Sequence, residues 1–325
     1  MNFDSEWLLQ HLESAPNADT VADRLTDCGC LVELREPGDG AEIWDVEVTT
    51  NRPDAMNHRG LAREAAVATG ATLKSLAVDV LESYEACADL VTIEIADSDV
   101  CTRFAARVVR NVKQVPSPEW LQRRLSNCGV RPINAVVDIT NYVLLEIGQP
   151  LHAYDLAKVR GSRLVARRAT AGEQLTTLDG EVRRLDSEMA VIADAEGVVG
   201  LAGIMGGANS EISDGTVDVL LEAAHFDALT IRRTARRLGM HTEASHRFER
   251  GADPGMQAMA VDLAAAMMAE LAGGVVCSGR IDVHPIPQPA RAMQLSMAAL
   301  SAFAGLEIPA DRVVEIFKGL GFEPE

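Results

Sequence analysis

Long apolar runs are missing from this chain of 325 residues; none approaches the ~18 residues a membrane-spanning helix requires. The first residues, Met1-Asn2-Phe3-Asp4-Ser5-Glu6, lack the basic and apolar blocks of a secretory signal. Cysteine is sparse, with six between positions 28 and 277 and no CxxC pair. Cys28 and Cys30 sit two apart, a spacing that suits neither zinc nor a disulfide, so reduced cytosolic thiols are expected. Positive charge is short as well: 30 Lys and Arg face 48 Asp and Glu, a net charge of −18. A field of that sign does not attract polyanions, so any nucleic-acid contact must be a local patch or come from a partner subunit. A GxxxxGK[ST] loop, a GxGxxG turn, a GxSxG elbow and an HExxH helix are all absent, which leaves the readily legible enzyme classes unsupported.

What is there is ordinary for a globular protein: 47% hydrophobic and 24% charged residues, in a length that suggests two or three domains. Residues 1–72 read as a small α+β unit. Ser5 is placed to cap a helix carrying Trp7 to Leu12, and a second helix shows Val21, Ala22 and Leu25 on one face before Gly29. Ile43 to Val48 alternates as a strand. Pro53 ends it, and Asp54 is placed to cap a helix over 56–69. Residues 73–88 read as a connection.

A larger unit over 88–285 opens with strands at 91–95 and 104–112. Ser117-Pro118-Glu119 then starts a helix, and another spans 133–147. Strands follow at 163–169, 189–193, 198–201 and 217–221, with a hairpin over 175–185 turning on Asp179-Gly180. Met256, Met259, Leu263, Met267 and Leu271 recur at helical spacing, which reads as core packing. Two short helices, 297–303 and 312–320, begin a third unit at 290–325. They have too little apolar cover to stand alone. The fold class expected is therefore α+β and multi-domain, with a mixed α/β central module and the start of a helical third domain.

Five constellations carry chemical interest. Asn134, Asp138 and Asn141 form a polar stripe at i, i+4 and i+7 on an apolar helix, either solvated or ligand-binding. His152 lies among apolar residues in Gln149-Pro-Leu-His-Ala-Tyr-Asp155, as a satisfied structural histidine or as one that holds a water. Gly200, Gly203, Gly206 and Gly207 fall within eight residues, which lets backbone approach a ligand or simply makes a flexible turn. Glu222 ends the apolar strand that begins at Val217 and needs a partner or a ligand. Arg232, Arg233, Arg236, Arg237, Arg247 and Arg250 make the one dense basic segment, for RNA contact or for pairing with the acidic surplus.

Taken together the segments resemble one family, the β subunit of bacterial-type phenylalanyl-tRNA synthetase. The motifs are Asn51-Arg-Pro-Asp54, Arg131-Pro-Ile-Asn-Ala-Val-Val-Asp-Ile-Thr-Asn-Tyr-Val143, Gln149 to Asp155, Gly203-Ile-Met-Gly-Gly207, Leu221-Glu222 and His241 to Pro254. They occur in the family's order along essentially the whole chain. The resemblance implies an N-terminal domain, then a tRNA-binding and editing module over 88–285. It departs in two respects. Glu33–Glu42 leaves no room for the oligonucleotide-binding barrel usual in bacterial members, and the later domains are missing.

The family's editing module hydrolyses tyrosine wrongly joined to tRNA(Phe). On that resemblance Glu222 accepts the substrate phenol, with Gly203 and Gly206 beside it. Thr242 and Ala244 line the pocket near the ester. His152, Asn141 and Arg131 surround the substrate and the attacking water, and Arg232, Arg233, Arg236 and Arg237 meet RNA. Hydrolysis there implies no metal and no cofactor; ATP and Mg²⁺ serve aminoacylation in the complete αβ enzyme. The implied partners are tRNA(Phe) and the α subunit, the implied location is the cytoplasm, and no membrane is involved. A free-standing editing deacylase, or a non-catalytic RNA-binding scaffold for the α subunit, fits the same residues.

Overall fold

The structure, a computed structural model, describes residues 1–287, 289 and 291–325. The expected start of the third unit at Ala290 lies outside the described residues. The architecture is α+β. The N-terminal unit is a three-stranded antiparallel sheet in the order Asn2–Asp4, Glu42–Glu47, Leu31–Pro37. The stretch expected to leave no room for a barrel, Glu33–Glu42, runs from within the strand Leu31–Pro37 through a tight turn in which the Gly38 N–H donates to the Ala41 carbonyl at 2.9 Å.

Local capping differs from the sequence reading in three places. Asp4, not Ser5, caps the first helix, Ser5–Gln10, by accepting from the Trp7 amide at 2.9 Å; the Ser5 hydroxyl instead accepts from the Glu42 amide. Asn57, not Asp54, caps the helix His58–Thr69, because Arg52 and Arg63 hold the Asp54 carboxylate. Gly60 in that helix sits so close to the Asp54 carbonyl that any side chain would collide with it. Ser117 does not cap the helix Glu119–Asn127; its hydroxyl donates to Asp138 at 2.6 Å.

The central module stacks two sheets. One has the order Glu82–Ala86, Val275–Ser278, Cys101–Arg110, Val219–Phe226, His152–Asp155, with Ile281–Val283 also paired to Cys101–Arg110. The other runs Met205–Gly206, Val198–Leu201, Ala190–Ala193, Arg163–Arg168, Thr92–Ile95. The strand Glu82–Ala86 lies inside what reads in sequence as a connection. Its polar residues show no periodicity, and only parallel pairing with Val275–Ser278 makes it a strand. The hairpin on Asp179-Gly180 forms as expected, pairing Gln174–Thr176 with Val182–Arg184.

The strand Val219–Phe226 separates two cores, since alternate side chains point to opposite faces. Leu220, Ala224 and Phe226 face the second sheet. Val219, Leu221 and Ala223 face the helices Ala135–Ile147 and Gln257–Ala272. The methionine stripe lies in this second core, with Met267 and Met268 buried.

The two units meet through aromatic packing. Trp7 stacks on His58 at 3.8 Å and on Tyr142 at 4.7 Å, and its indole N–H donates to Glu146 at 2.6 Å. Buried His58 is used at both nitrogens: Nε2 accepts from the Asp4 amide at 3.1 Å, and Nδ1 donates to the Leu145 carbonyl at 2.9 Å. Near the end of the chain the helix Ala310–Gly319 lies on His58–Thr69, with Gly319 against Val67. The helix Met297–Ala304 buries no residue, and Phe303 is 93% exposed.

Burial pulls the His58 pKa down to about 3. Because the folded pKa is depressed, the stability tied to neutral His58 is full above pH ~6.5 and is lost as pH falls toward 3. That is a slope of roughly 1.4 kcal/mol per pH unit. Chemical denaturation of wild type and His58→Gln between pH 7 and 5 should show a shallower loss in the variant. Equal slopes would place the acid-labile group elsewhere.

Candidate functional site

The register of two strands builds the site. In the antiparallel pairing of His152–Asp155 with Val219–Phe226, His152 lies opposite Glu222. Period two puts Tyr154 on the same face as His152. The Tyr154 hydroxyl donates to Glu222 Oε2, and its ring meets His152 edge-on at 4.5 Å. Glu222 is therefore mid-strand, not at a strand end as its sequence suggests. The apolar run carries on past it because Ala105 and Ala106 continue the ladder on the other side.

Facing these residues is a cavity of about 70 Å³, enough for roughly five waters. Gly200 to Gly206 forms its far wall. Gly200 pairs with Gly206, and a side chain on Gly206 would strike the His152 ring. Gly203 has φ +65°, and a side chain there would also press on Phe248 and Phe226. The glycines thus let the wall pack closely against His152, Phe226 and Phe248. The helix Glu243–Phe248 supplies Ala244 and Phe248. Thr242 caps this helix in a reciprocal arrangement with Ser245, and its hydroxyl donates to the Ile204 carbonyl at 2.9 Å, which ties the helix to the glycine wall.

The electrostatics follow from dryness. Burial pushes the Glu222 carboxyl up to about 7, opposed by the Tyr154 hydrogen bond. Tyr154 is likewise raised well above its ordinary value, by burial and by the adjacent carboxylate. Burial holds His152 down at about 4, so its ring is neutral, and Nε2 is buried without a partner.

His152, Glu222, Gly203, Gly206 and Ala244 thus line one cavity, with Thr242 anchored at its edge. Arg131 and Asn141 do not line it. The helix Ala135–Ile147 packs on the opposite face of the sheet, so Arg131 is exposed and Asn141 is half-buried there. The polar stripe is consumed locally. Asn134 caps the helix by accepting from Val137, and buried Asp138 accepts from Ser117 and the Ile133 amide. Tyr154, Phe226 and Phe248 were missed. Tyr154 had a signal, since it lies two residues from His152 in a strand-compatible segment.

The basic segment divides. Arg232, Arg233, Arg236 and Arg237 are exposed on the helix Ala228–Leu238. Arg237 pairs with Asp186 at 2.9 Å; the other three make no ion pair among the described residues. Arg247 is buried against Glu243, and Arg250 pairs with Glu249. His241, His246 and Glu249 form a group of metal-ligating composition, with the two rings 3.1 Å apart between nitrogens. Glu249 is engaged there by Arg250 at 2.6 Å.

A double-sheet module with this wall and helix is matched by the family model described as the B3/4 domain, over residues 100–273. That is more than half of the chain, and the chain belongs to this family. More particularly, it is 47% identical over 281 residues to the phenylalanine–tRNA ligase beta subunit of Geobacter metallireducens, covering 86% of this chain and 35% of that protein. The same protein of Anaeromyxobacter dehalogenans is 47% identical over 281 residues, and that of Salinibacter ruber 43% over 283. The chain spans about a third of the length of these relatives.

The raised Glu222 pKa makes a stability prediction. A group whose folded pKa is raised contributes stability that is full below its unfolded value of 4.5 and is lost as pH rises through about 7. Glu222→Gln, neutral throughout, should match wild type near pH 4.5 and exceed it by up to roughly 3 kcal/mol above pH 7. Thermal melts across that range check this. A variant less stable at pH 8 than at pH 5, relative to wild type, contradicts it.

Proposed function

We propose that the cavity hydrolyses tyrosine mis-esterified to tRNA(Phe), as the editing part of a phenylalanine–tRNA ligase β subunit. The observation that carries this is Glu222: a desolvated carboxylate at the end of an apolar cavity, already accepting from the phenol of Tyr154. Oε1 has no protein partner among the described residues, so a second phenol can donate to it. A pocket made for a phenyl ring cannot strongly reject the same ring carrying a hydroxyl. A site that demands a phenol discriminates the other way, because phenylalanine leaves the carboxylate unpaired. The empty cavity is smaller than a tyrosyl group, so half-buried Leu151 and Met205 must turn aside on entry.

Neutral His152 is suited to hold a water by its free ring nitrogen. The water oxygen attacks the ester carbonyl, the bond to the ribose oxygen breaks, and the proton passes to that leaving oxygen. Tyrosine and free tRNA result. The four-arginine helix is the RNA surface in this reading. The α subunit, cytoplasmic location, and ATP with Mg²⁺ for aminoacylation belong to the complete enzyme.

Deacylation of Tyr-tRNA(Phe) and Phe-tRNA(Phe) by the purified chain tests the reading. Glu222→Ala should lower the Tyr-over-Phe preference roughly tenfold or more, as expected for one hydrogen bond to a charged group. His152→Ala should slow both ~10²-fold or more. An unchanged preference in Glu222→Ala sinks the assignment.

The RNA surface is tested separately, by tRNA affinity against salt. Arg236→Glu with Arg237→Glu should weaken binding and flatten the log–log slope by about one to two units. A slope that the double change leaves intact puts the RNA surface elsewhere.

A further inference from the structure

A second cavity, of about 360 Å³, lies where the N-terminal unit meets the central module. It draws on the motif Asn51 to Asp54, which the first cavity leaves unused, and on Arg247 and Gly251 to Pro254 from the motif His241 to Pro254. Arg59, Arg63 and Arg247 all line it. We propose that this cavity is an oxyanion site that grips the phosphate of a nucleotide, with Arg247 as its principal ligand.

Arg247 carries the argument. Its side chain is 2% exposed. Nη1 donates to the Glu243 carboxylate at 2.7 Å and to the Glu243 carbonyl at 3.0 Å. Nε and Nη2 are buried and have no partner among the described residues. Those two N–H groups form the flat edge of the guanidinium that matches two oxygens of one anion. The same protein uses that edge elsewhere: Arg103 lays Nε and Nη2 on Asp282 at 2.9 and 2.7 Å, and Arg52 lays them on Asp54 at 3.1 and 3.0 Å. On Arg247 the edge is buried and no protein acceptor among the described residues meets it. Buried charged donors are costly without acceptors, and one oxyanion supplies two acceptors to that edge.

The neighbours share this bias. Arg63 Nε is also buried without a partner, while its Nη2 is held by Asp54. Arg59 makes no ion pair among the described residues; it donates to the Lys74 carbonyl at 2.9 Å. Of the two acids on the cavity, Asp54 is paired with arginines and Asp253 is exposed. Asp54 serves Arg52 and Arg63, and Asp253 accepts from the Gly255 amide at 2.7 Å. An anion therefore meets three guanidinium groups, set against the carboxylate of Asp54, which is paired, and that of Asp253 at the exposed edge.

Size selects the class. A cavity of about 150 Å³ already admits a benzene ring, and this one is more than twice that. Leu73, Ile147 and Met256 give it an apolar side on which a base can lie. A phosphate joined to a nucleoside fits this mixture of charge and apolar surface better than phosphate alone. The phosphate can come from a free nucleotide or from an RNA strand, and the chemistry at Arg247 is shared. The inference does not rest on the hydrolytic reading of the first cavity.

Calorimetric titration of the intact chain tests it, with adenosine 5′-monophosphate, adenosine, inorganic phosphate, and the trinucleotide CCA bearing a 5′-phosphate. Adenosine 5′-monophosphate or the trinucleotide should bind saturably and at least tenfold more tightly than adenosine. Preference for the first marks a free nucleotide as the source, and preference for the second marks an RNA strand. Arg247→Lys keeps the charge and removes the flat edge, and should weaken binding at least tenfold. Arg59→Ala, at the half-buried rim, should weaken it several-fold with an unchanged melting temperature, so the test survives if Arg247→Lys misfolds. Glu222→Gln should bind as wild type. Equal binding of adenosine and its monophosphate, or no binding of any phosphate compound, overturns the proposal and leaves ordered water as the partner of Arg247.

Discussion

One carboxylate is buried where two apolar surfaces meet, and the central module is organised around that fact. The strand Val219–Phe226 is covered on both faces, so nearly every side chain along it is apolar. Glu222 breaks the pattern at a buried position, where its charge is costly. Its environment responds in the two ways available: a phenol donor comes from the neighbouring strand, and the carboxyl shifts toward neutrality. Repacking Glu222 as an apolar residue would suit the core better. Instead the strand places a polar group facing a cavity, at a cost in burial.

The walls of the cavity are built to come close. Gly206 clears the His152 ring and Gly203 clears two phenylalanines, so backbone occupies space that side chains would fill elsewhere. Thr242 then fastens the helix Glu243–Phe248 to that wall through the Ile204 carbonyl. This gives a small, rigid chamber in which a neutral histidine and an acid of raised pKa stand side by side. Water inside it is held by few groups, and the dry surroundings strengthen each of those contacts.

The interface between the two units has a different character. Trp7 donates to Glu146 and stacks on His58, and His58 in turn bridges Asp4 and Leu145. Aromatic area supplies the burial, and the polar atoms of Trp7 and His58 are partnered. Close by, the second cavity breaks that rule, with guanidinium nitrogens left unpaired on Arg63 and Arg247. Satisfied Trp7 and His58 thus lie beside a cavity whose Arg63 and Arg247 are not satisfied.

The α+β class, the Asp179-Gly180 hairpin, the methionine-bearing core helix and the glycine wall were all legible in the chain, because each rests on local periodicity or on turn chemistry. Glu222 and His152 stood out for the same local reason, as polar residues in apolar runs. Their pairing did not: it depends on register between strands about 70 residues apart, which no local pattern records. Nor did the fate of Asn141 and Arg131, whose helix could have packed on either face of the sheet. The caps shifted by one to three residues because Arg52, Arg63 and Glu42 competed for the expected side chains. The sequence by itself determined which residues were costly to bury. Only the tertiary structure decided which of them share a cavity, because that choice is made by strand register and by the face on which each helix lands.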